Sequence, residues 1–364
     1  QEIIRQLQGY PIPASVLERD ILGNRMSYMS TMLDQLMLAG DVVWVGHGSL
    51  GPRDGKLSLF YRDQLSTLSL PRPGDFETSE LHDLLLDALL RQGASFFQDL
   101  YAAAGGGDPA TVHDALWDLV WSGLVTNDTL APVRALSKRR RSSSGRRGGK
   151  PSFPPSSAGR WWLVANAASG TVADTVRTAA WTDLLLERHG LVTRDGASAE
   201  AIPGGFTRFY PILRHMEDIG KVRRGYFVEG MGGAQFALPG AVDRLRQQPP
   251  STVAVAATDP ANLFGSAIGW PKHPTGRPAR VAGSWVVISD GRLAAYIDRR
   301  RILTFPPPDE AVADAIAGIG HAVGRLTVNE IDGEPAGGVD LGRQLLSRGF
   351  AVTPRGISYR GAKR

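Results

Sequence analysis

Between residues 199 and 238 the apolar positions Phe206, Phe209, Tyr210, Leu213, Met216 and Ile219 fall at i, i+3, i+4 and i+7 spacing, which predicts a helix with one buried stripe. Gly204 and Gly205 stand where that helix begins, and Gly220 stands where a left-handed residue would end it. Val222 to Val228 and Gln235 to Leu238 then read as two short strands joined by the Gly-rich turn EGMGG. A helix delivered into a β-hairpin is the second half of a winged helix. Lys221, Arg223 and Arg224 lie on the wing, the usual place for phosphate contacts.

The same grammar recurs along the chain. Residues 1 to 70 predict three helices (EIIRQLQG, SVLERDIL, MSYMSTMLDQLMLAG) and the strands DVVWVG and KLSLFY. Residues 71 to 136 predict LHDLLLDALLRQG, SFFQDLYAAA and a helix opened by Asp108-Pro109. In the three third helices, Leu33/Leu36 precede Gly40 and Val42, Leu116/Leu119 precede Gly123 and Val125, and Leu213/Met216 precede Gly220 and Val222. The first helices end alike, at Gly9, Gly93 and Gly190. Three winged helices are expected, at 1–70, 71–136 and 160–248, separated after the second by a basic linker at 137–159. After Gln247, short β-rich runs with Pro, Gly and Asp290-Gly291 turns predict a small β-barrel at 249–305. Two helices alternating with strands predict an α+β appendage at 306–364, so the fold class is α+β.

Composition narrows the chemistry. The chain has 364 residues, 42% hydrophobic and 21% charged, which suits a soluble multidomain protein with sizeable cores. No apolar run approaches the roughly 20 residues that cross a bilayer, so no membrane partner is expected. A net charge of +5 favours an anionic partner, nucleic acid first. With no cysteine and no paired histidines, neither disulfides nor a structural zinc are expected. The chain begins with Gln1 rather than Met, which suggests a fragment of a longer protein. It contains no GxxxxGK[ST] and no DExH-type box, so no ATP hydrolysis and no cofactor are expected of this segment.

Few residues remain as candidates for binding or catalysis. The linker carries seven Lys and Arg residues, including Lys138, Arg139, Arg140, Arg141, Arg146 and Arg147, with no acidic residue. It cannot bury enough surface to fold alone, yet can bind phosphate as a salt-sensitive tether. Trp161 follows it and is read either as core or as a platform for a base. In DPANLFGSAIGWP two readings stand side by side. Asp259 and Asn262 cap and turn the chain, or Asp259 and Trp270 flank a flipped-out base, with Asp259 and Asn262 catalytic.

The phrases YMSTMLDQLMLAGDVVWVG, ALWDLVWSGLVTNDTLAPVRAL, GGFTRFYPILRHMEDIGKVRRGYFVEGMGGAQFALPGAVDRLR and ATDPANLFGSAIGWP resemble the C-terminal region of bacterial large helicase-related proteins. The Ala-, Gly- and Arg-rich composition suggests an actinobacterial source. The resemblance implies a parent superfamily 2 helicase that translocates 3′ to 5′ on single-stranded DNA, unwinds RNA:DNA hybrids and acts in DNA repair, with ATP and Mg used by an upstream motor. It further implies DNA or RNA:DNA hybrid and the upstream helicase core as partners, assembly into a homotetramer, and a cytoplasmic, nucleoid-associated location. The arrangement is also similar to AlkZ-type DNA glycosylases, which makes base excision the alternative activity. The Gln-x-Gln motif of those enzymes has no counterpart, since Gln247-Gln248 is wrongly spaced.

Overall fold

The computed structural model describes residues 1–69, 76–138, 153–168, 170–247, 250–305 and 309–361. They form two compact units, residues 1–15 with 28–184 and residues 16–27 with 185–364. In the first unit, β1 (Ile12–Pro13), β2 (Val42–Gly51) and β3 (Asp54–Tyr61) make a sheet of order β1-β3-β2. A second sheet has β4 (Ser95–Phe96), β5 (Val125–Asn127) and β6 (Arg160–Leu163) in the order β4-β6-β5. In the second unit, β7 (Leu191–Val192), β8 (Arg223–Gly225) and β9 (Gln235–Ala237) repeat it as β7-β9-β8. Three sheets of one topology are what a repeated winged helix requires.

Each repeat reverses direction through the same helix end. The helices Ser30–Leu38, Pro109–Trp121 and Gly205–Asp218 are followed by Gly40, Gly123 and Gly220 at φ 84, 74 and 74. The residue after each glycine donates its N–H back across the last turn, Asp41 to Leu36, Leu124 to Leu119 and Lys221 to Met216, at 2.9, 3.0 and 2.8 Å. These are Schellman closures. They satisfy carbonyls that a helix end otherwise leaves open.

Two expected boundaries move. Arg160–Leu163 pairs with Val125–Asn127 and with Ser95–Phe96, so the second winged helix takes its last strand from beyond the basic segment rather than ending at 136. The returning chain is held by Phe153 edge-on to Phe97 and Tyr101, and by Ser156 Oγ 2.8 Å from His113 Nε2. The stretch SVLERDIL, expected as the second helix of the first winged helix, belongs from Val16 onward to the second unit. There Leu17, Ile21 and Leu22 are buried and the Asn24 amide donates to the Ala254 carbonyl at 2.8 Å.

The β-rich region is an open sheet and not the expected barrel. β10 (Thr252–Ala256), β11 (Trp285–Ser289), β12 (Arg292–Asp298) and β13 (Arg301–Thr304) form an antiparallel series. β14 (Arg325–Val328) lies in a separate sheet, while β15 (Glu330–Ile331) and β16 (Glu334–Pro335) extend the series to six strands. β13 pairs in parallel with β15, so the sheet grows outward instead of closing onto β10. Both faces are already covered. Val312, Ala313 and Ile316 of the helix Glu310–Val323 pack on Trp285, Val287 and Ile297, while Phe264 and Trp270 cover Val286, Leu293 and Tyr296. β17 (Phe350–Thr353) and β18 (Gly356–Arg360) make a hairpin that completes a β14-β18-β17 sheet.

In the third winged helix a buried ion cluster ties the end of the helix Asp174–His189 to the end of Arg194–Ala199. Glu200 is 3% exposed and accepts from Arg188, itself 2% exposed, and lies 2.8 Å from His189 Nε2. Burial alone would push the Glu200 carboxyl up. The Arg188 charge and the His189 hydrogen bond outweigh it and hold the carboxyl below the usual carboxylate range.

Three outcomes are expected. A Cβ at Gly46 would lie 1.9 Å from the Val120 carbonyl oxygen, so Gly46→Ala is expected to lower stability by roughly 1–3 kcal/mol. Gly318→Ala, mid-helix with open space around it, is expected to raise stability by about 0.5–1 kcal/mol, both read by thermal melts. Because the folded Glu200 carboxyl sits below its ordinary value of 4.5, its contribution is fully present above that pH and is lost as pH falls through the lower folded value. Glu200→Gln strands the Arg188 charge and is expected to cost roughly 3–5 kcal/mol at neutral pH while removing this acid-dependent component. Identical acid-unfolding curves for the two proteins would refute that assignment.

Candidate nucleic-acid interface

The wing of the third winged helix is built from β8, β9 and the loop between them. Phe236 on β9 contacts Phe206 and, edge-on, Tyr210, which fixes the wing to the helix Gly205–Asp218. The loop itself is held from inside by Gln235, which is fully buried. Its Oε1 accepts from the N–H groups of Phe227 and Val228 at 2.8 and 2.9 Å, and its Nε2 donates to the carbonyls of Val228 and Met231, both at 3.1 Å. All four bonds of the amide are spent on loop backbone. A loop so tied can present side chains in a fixed place.

The side chains presented are cationic and aromatic. Lys221, Arg223 and Arg224 are all exposed. Arg224 Nε lies 3.6 Å from Glu217 and Arg223 lies 4.0 Å from Asp243, loose pairs open to solvent that contribute little. Among the described residues Lys221 has no carboxylate partner. Next to them Tyr226 is 87% exposed, an aromatic ring left in water beside three cations. Sequence reading passed over both Tyr226 and Gln235. A tyrosine directly after the Arg-Arg-Gly strand was the available signal for the first; nothing in the sequence marked the second. On the preceding helix, Thr207, Pro211, Arg214 and His215 form the solvent side, and Phe206, Phe209, Leu213 and Met216 the buried side.

The remaining candidates fall elsewhere. Lys138 is exposed at the end of the helix Ala131–Lys138, and Arg139, Arg140, Arg141, Arg146 and Arg147 lie outside the described residues. Trp161 is 0% exposed, with its Nε1 donating to the Ser157 carbonyl at 3.2 Å and its ring edge-on to Trp117. No ring face is open to a base, so its stacking role is corrected to a core role.

Asp259 and Asn262 hold their loop together. Asp259 is 1% exposed and its Oδ1 accepts from Arg25 at 2.5 Å and from the Ala261 N–H at 2.7 Å. Asn262 donates to the carbonyls of Ala257 and Phe264 at 2.9 and 3.3 Å and accepts from the Phe264 N–H at 3.0 Å. Trp270 stacks on Phe264 and meets Tyr296 edge-on, closing one face of the sheet. A cavity of about 220 Å³ nearby is lined by Arg188, His189, Val228, Met231, Ala261 and Leu263, and by neither Asp259 nor Asn262. The geometry fits the capping reading of both residues. In the first unit a cavity of about 630 Å³ runs over Val45, His47, Ser58 and Phe60 of the first wing. Burial, aided by Lys56, pushes the His47 imidazole down toward its neutral form. Among the described residues no helix is long and apolar enough to cross a membrane.

Two family models, both described as large helicase-related protein, winged-helix domain, match residues 1–62 and 171–256. The chain is 37% identical to a Mycolicibacterium smegmatis protein named Lhr helicase/probable uracil glycosylase, over 98% of this chain and 26% of that protein. It is 34% identical to the Escherichia coli Lhr helicase/uracil glycosylase, with the same coverage of each. It thus spans about a quarter of the length of the curated relatives it matches. Among solved structures, the Streptomyces sahachiroi DNA glycosylase AlkZ aligns with a TM-score of 0.47 and 14% identity, over 90% of this chain and 98% of that one. By its matched winged helices and by these relatives, the chain belongs to the large helicase-related family, as part of the C-terminal region of such a protein.

Proposed function

We propose that this chain is a DNA-binding module carried behind a helicase motor, and that the third wing is its principal contact. The observation that supports this most directly is Tyr226 exposed beside Lys221, Arg223 and Arg224 on a loop locked by Gln235. Cations hold phosphates without reading sequence, and a stacked ring adds grip on an unpaired base. Single-stranded DNA or the single-stranded edge of an RNA:DNA hybrid is the substrate such a wing suits. The basic segment from Lys138 to Arg147 supplies a second, sequence-independent tether. In the parent protein this module would serve an ATP- and Mg-dependent 3′-to-5′ helicase acting in DNA repair in the cytoplasm, and would assemble as a homotetramer.

Base excision by the chain is the second reading, favoured by the glycosylase activity in the names of both relatives. The burial and full engagement of Asp259 and Asn262 speak against those residues as its catalysts.

Replacing Lys221, Arg223 and Arg224 by Gln is expected to weaken oligonucleotide binding evenly across sequences and to make the salt dependence shallower by about one per cation. Tyr226→Ala should cost about 1–3 kcal/mol on single strands and little on duplex, measured by anisotropy. Gln235→Leu leaves every charge in place but frees the loop, so binding should fall with it; full affinity in that variant would show that loop order is irrelevant. Incubation with uracil-containing duplex followed by alkali tests excision. Cleavage that Asp259→Asn abolishes, in a protein that still melts cooperatively, would overturn the capping role given to Asp259.

A further inference from the structure

The second unit holds a concentration of arginine that neither the wing nor the sheet's packing uses. A concavity of about 330 Å³ is lined by Arg19, Arg299, Arg300 and Arg325, with Trp285 and Leu326 in its wall. Arg19 is engaged by Asp20 through Nε and one terminal nitrogen. Arg299, Arg300 and Arg325 are exposed and, among the described residues, have no carboxylate partner. Arg325 also stands directly opposite Arg360 in the β14–β18 register, a like-charge cross-strand pair that disfavours the sheet unless an anion lies between.

The backbone adds a second, independent sign. Arg299 and Arg300 form the two-residue turn between β12 and β13, and Arg299 is held at φ 53, a left-handed position that favours Gly, Asn or Asp. The adjacent hairpin of the same sheet fills its turn with Asp290-Gly291, at φ 48 and 77, as the geometry prefers. Arg299 thus sets a bulky cation at a turn position where Gly, Asn or Asp would be easier. Arginine rather than lysine at all these positions matches the forked geometry that grips phosphate oxygens.

We infer that this concavity is a second phosphate-binding site, in which Arg299, Arg300 and Arg325, with Arg360 alongside, take consecutive phosphodiester groups of a nucleic-acid strand. The ligand is a phosphate anion by chemistry, and the spread of the cations over a turn and two strands suits a chain of phosphates better than one. The inference rests on the DNA-binding reading above.

The test is oligonucleotide binding by the whole chain across roughly 50–200 mM salt, comparing Arg299→Gly, the triple variant Arg299→Gly/Arg300→Gln/Arg325→Gln, and the wing variant. The triple variant is expected to shallow the salt dependence by about one per arginine, additively with the wing. Arg299→Gly alone should shallow it by about one without lowering the melting temperature, since glycine suits that turn. Unchanged slope and affinity in both variants, with the wing variant weakened, would overturn this site alone. Failure of the unsubstituted chain to bind DNA would remove the DNA reading and this site with it. Inorganic pyrophosphate is the second arm. A thermal shift by pyrophosphate that the triple variant loses, with DNA binding untouched, would reassign the concavity to a free anion and refute the strand.

Discussion

The left-handed glycine that ends each third helix is the constraint on which the rest of the architecture depends. A helix of apolar stripe can be made by many sequences, but delivering the next residue into a strand beside it requires the chain to turn back within two residues. Gly40, Gly123 and Gly220 do this with the same pair of backbone bonds, and the wing that follows is placed by the turn rather than by its own strand propensity. That is why strands as short as Arg223–Gly225 and Val125–Asn127 are stable elements here. Their register is inherited from the helix end.

From that common frame the first two repeats take different courses. The first wing is pressed onto the helix Pro109–Trp121. Gly46 and Gly55 leave room for the Val120 carbonyl and the Trp121 ring, and Thr126 Oγ1 donates to the Trp44 carbonyl at 2.6 Å. The second wing is interrupted by the basic segment and closed by β6, whose Trp161 fills the core against Trp117. In both, tryptophans are spent on packing, Trp44 in the first wing and Trp161, which the sequence offers as a base platform, in the second. The third wing keeps its ring, Tyr226, outside.

Much of this was legible because it is local. Helix stripes, glycine stops, the Asp108 cap and the Asp290-Gly291 hairpin depend on residues within a few positions of one another, and all appear where the pattern put them. What could not be read was set by contacts far apart in sequence. Alternating apolar residues in β11 to β13 fit a barrel as well as a sheet buried on both faces, and only the parallel pairing of Arg301 with Glu330 decides between them. The capture of residues 16–27 by β10 and Asp259, and the return of Arg160–Leu163 to the second repeat, are of the same kind. Gln235 was invisible for a different reason. A lone Gln in a strand has no sequence signature, and its role exists only once four backbone groups converge on it.

The polar residues sort by the same logic. Asp259 attracts notice in the sequence and Glu200 does not, yet each is buried with an arginine, Arg25 or Arg188, and each fixes a joint between elements. Removing a partner from such a pair is costly because the other charge stays buried, so these pairs set geometry and are poor candidates for chemistry that needs a free lone pair. The arginines of the third wing and of the β12–β13 turn lie at the opposite pole. They are exposed and at most loosely paired, and one of them, Arg299, occupies a turn position that its backbone does not favour. With the buried Arg25 and Arg188 paired and these arginines left outside, the charge distribution among the described residues is compatible with the proposed binding of an anionic strand.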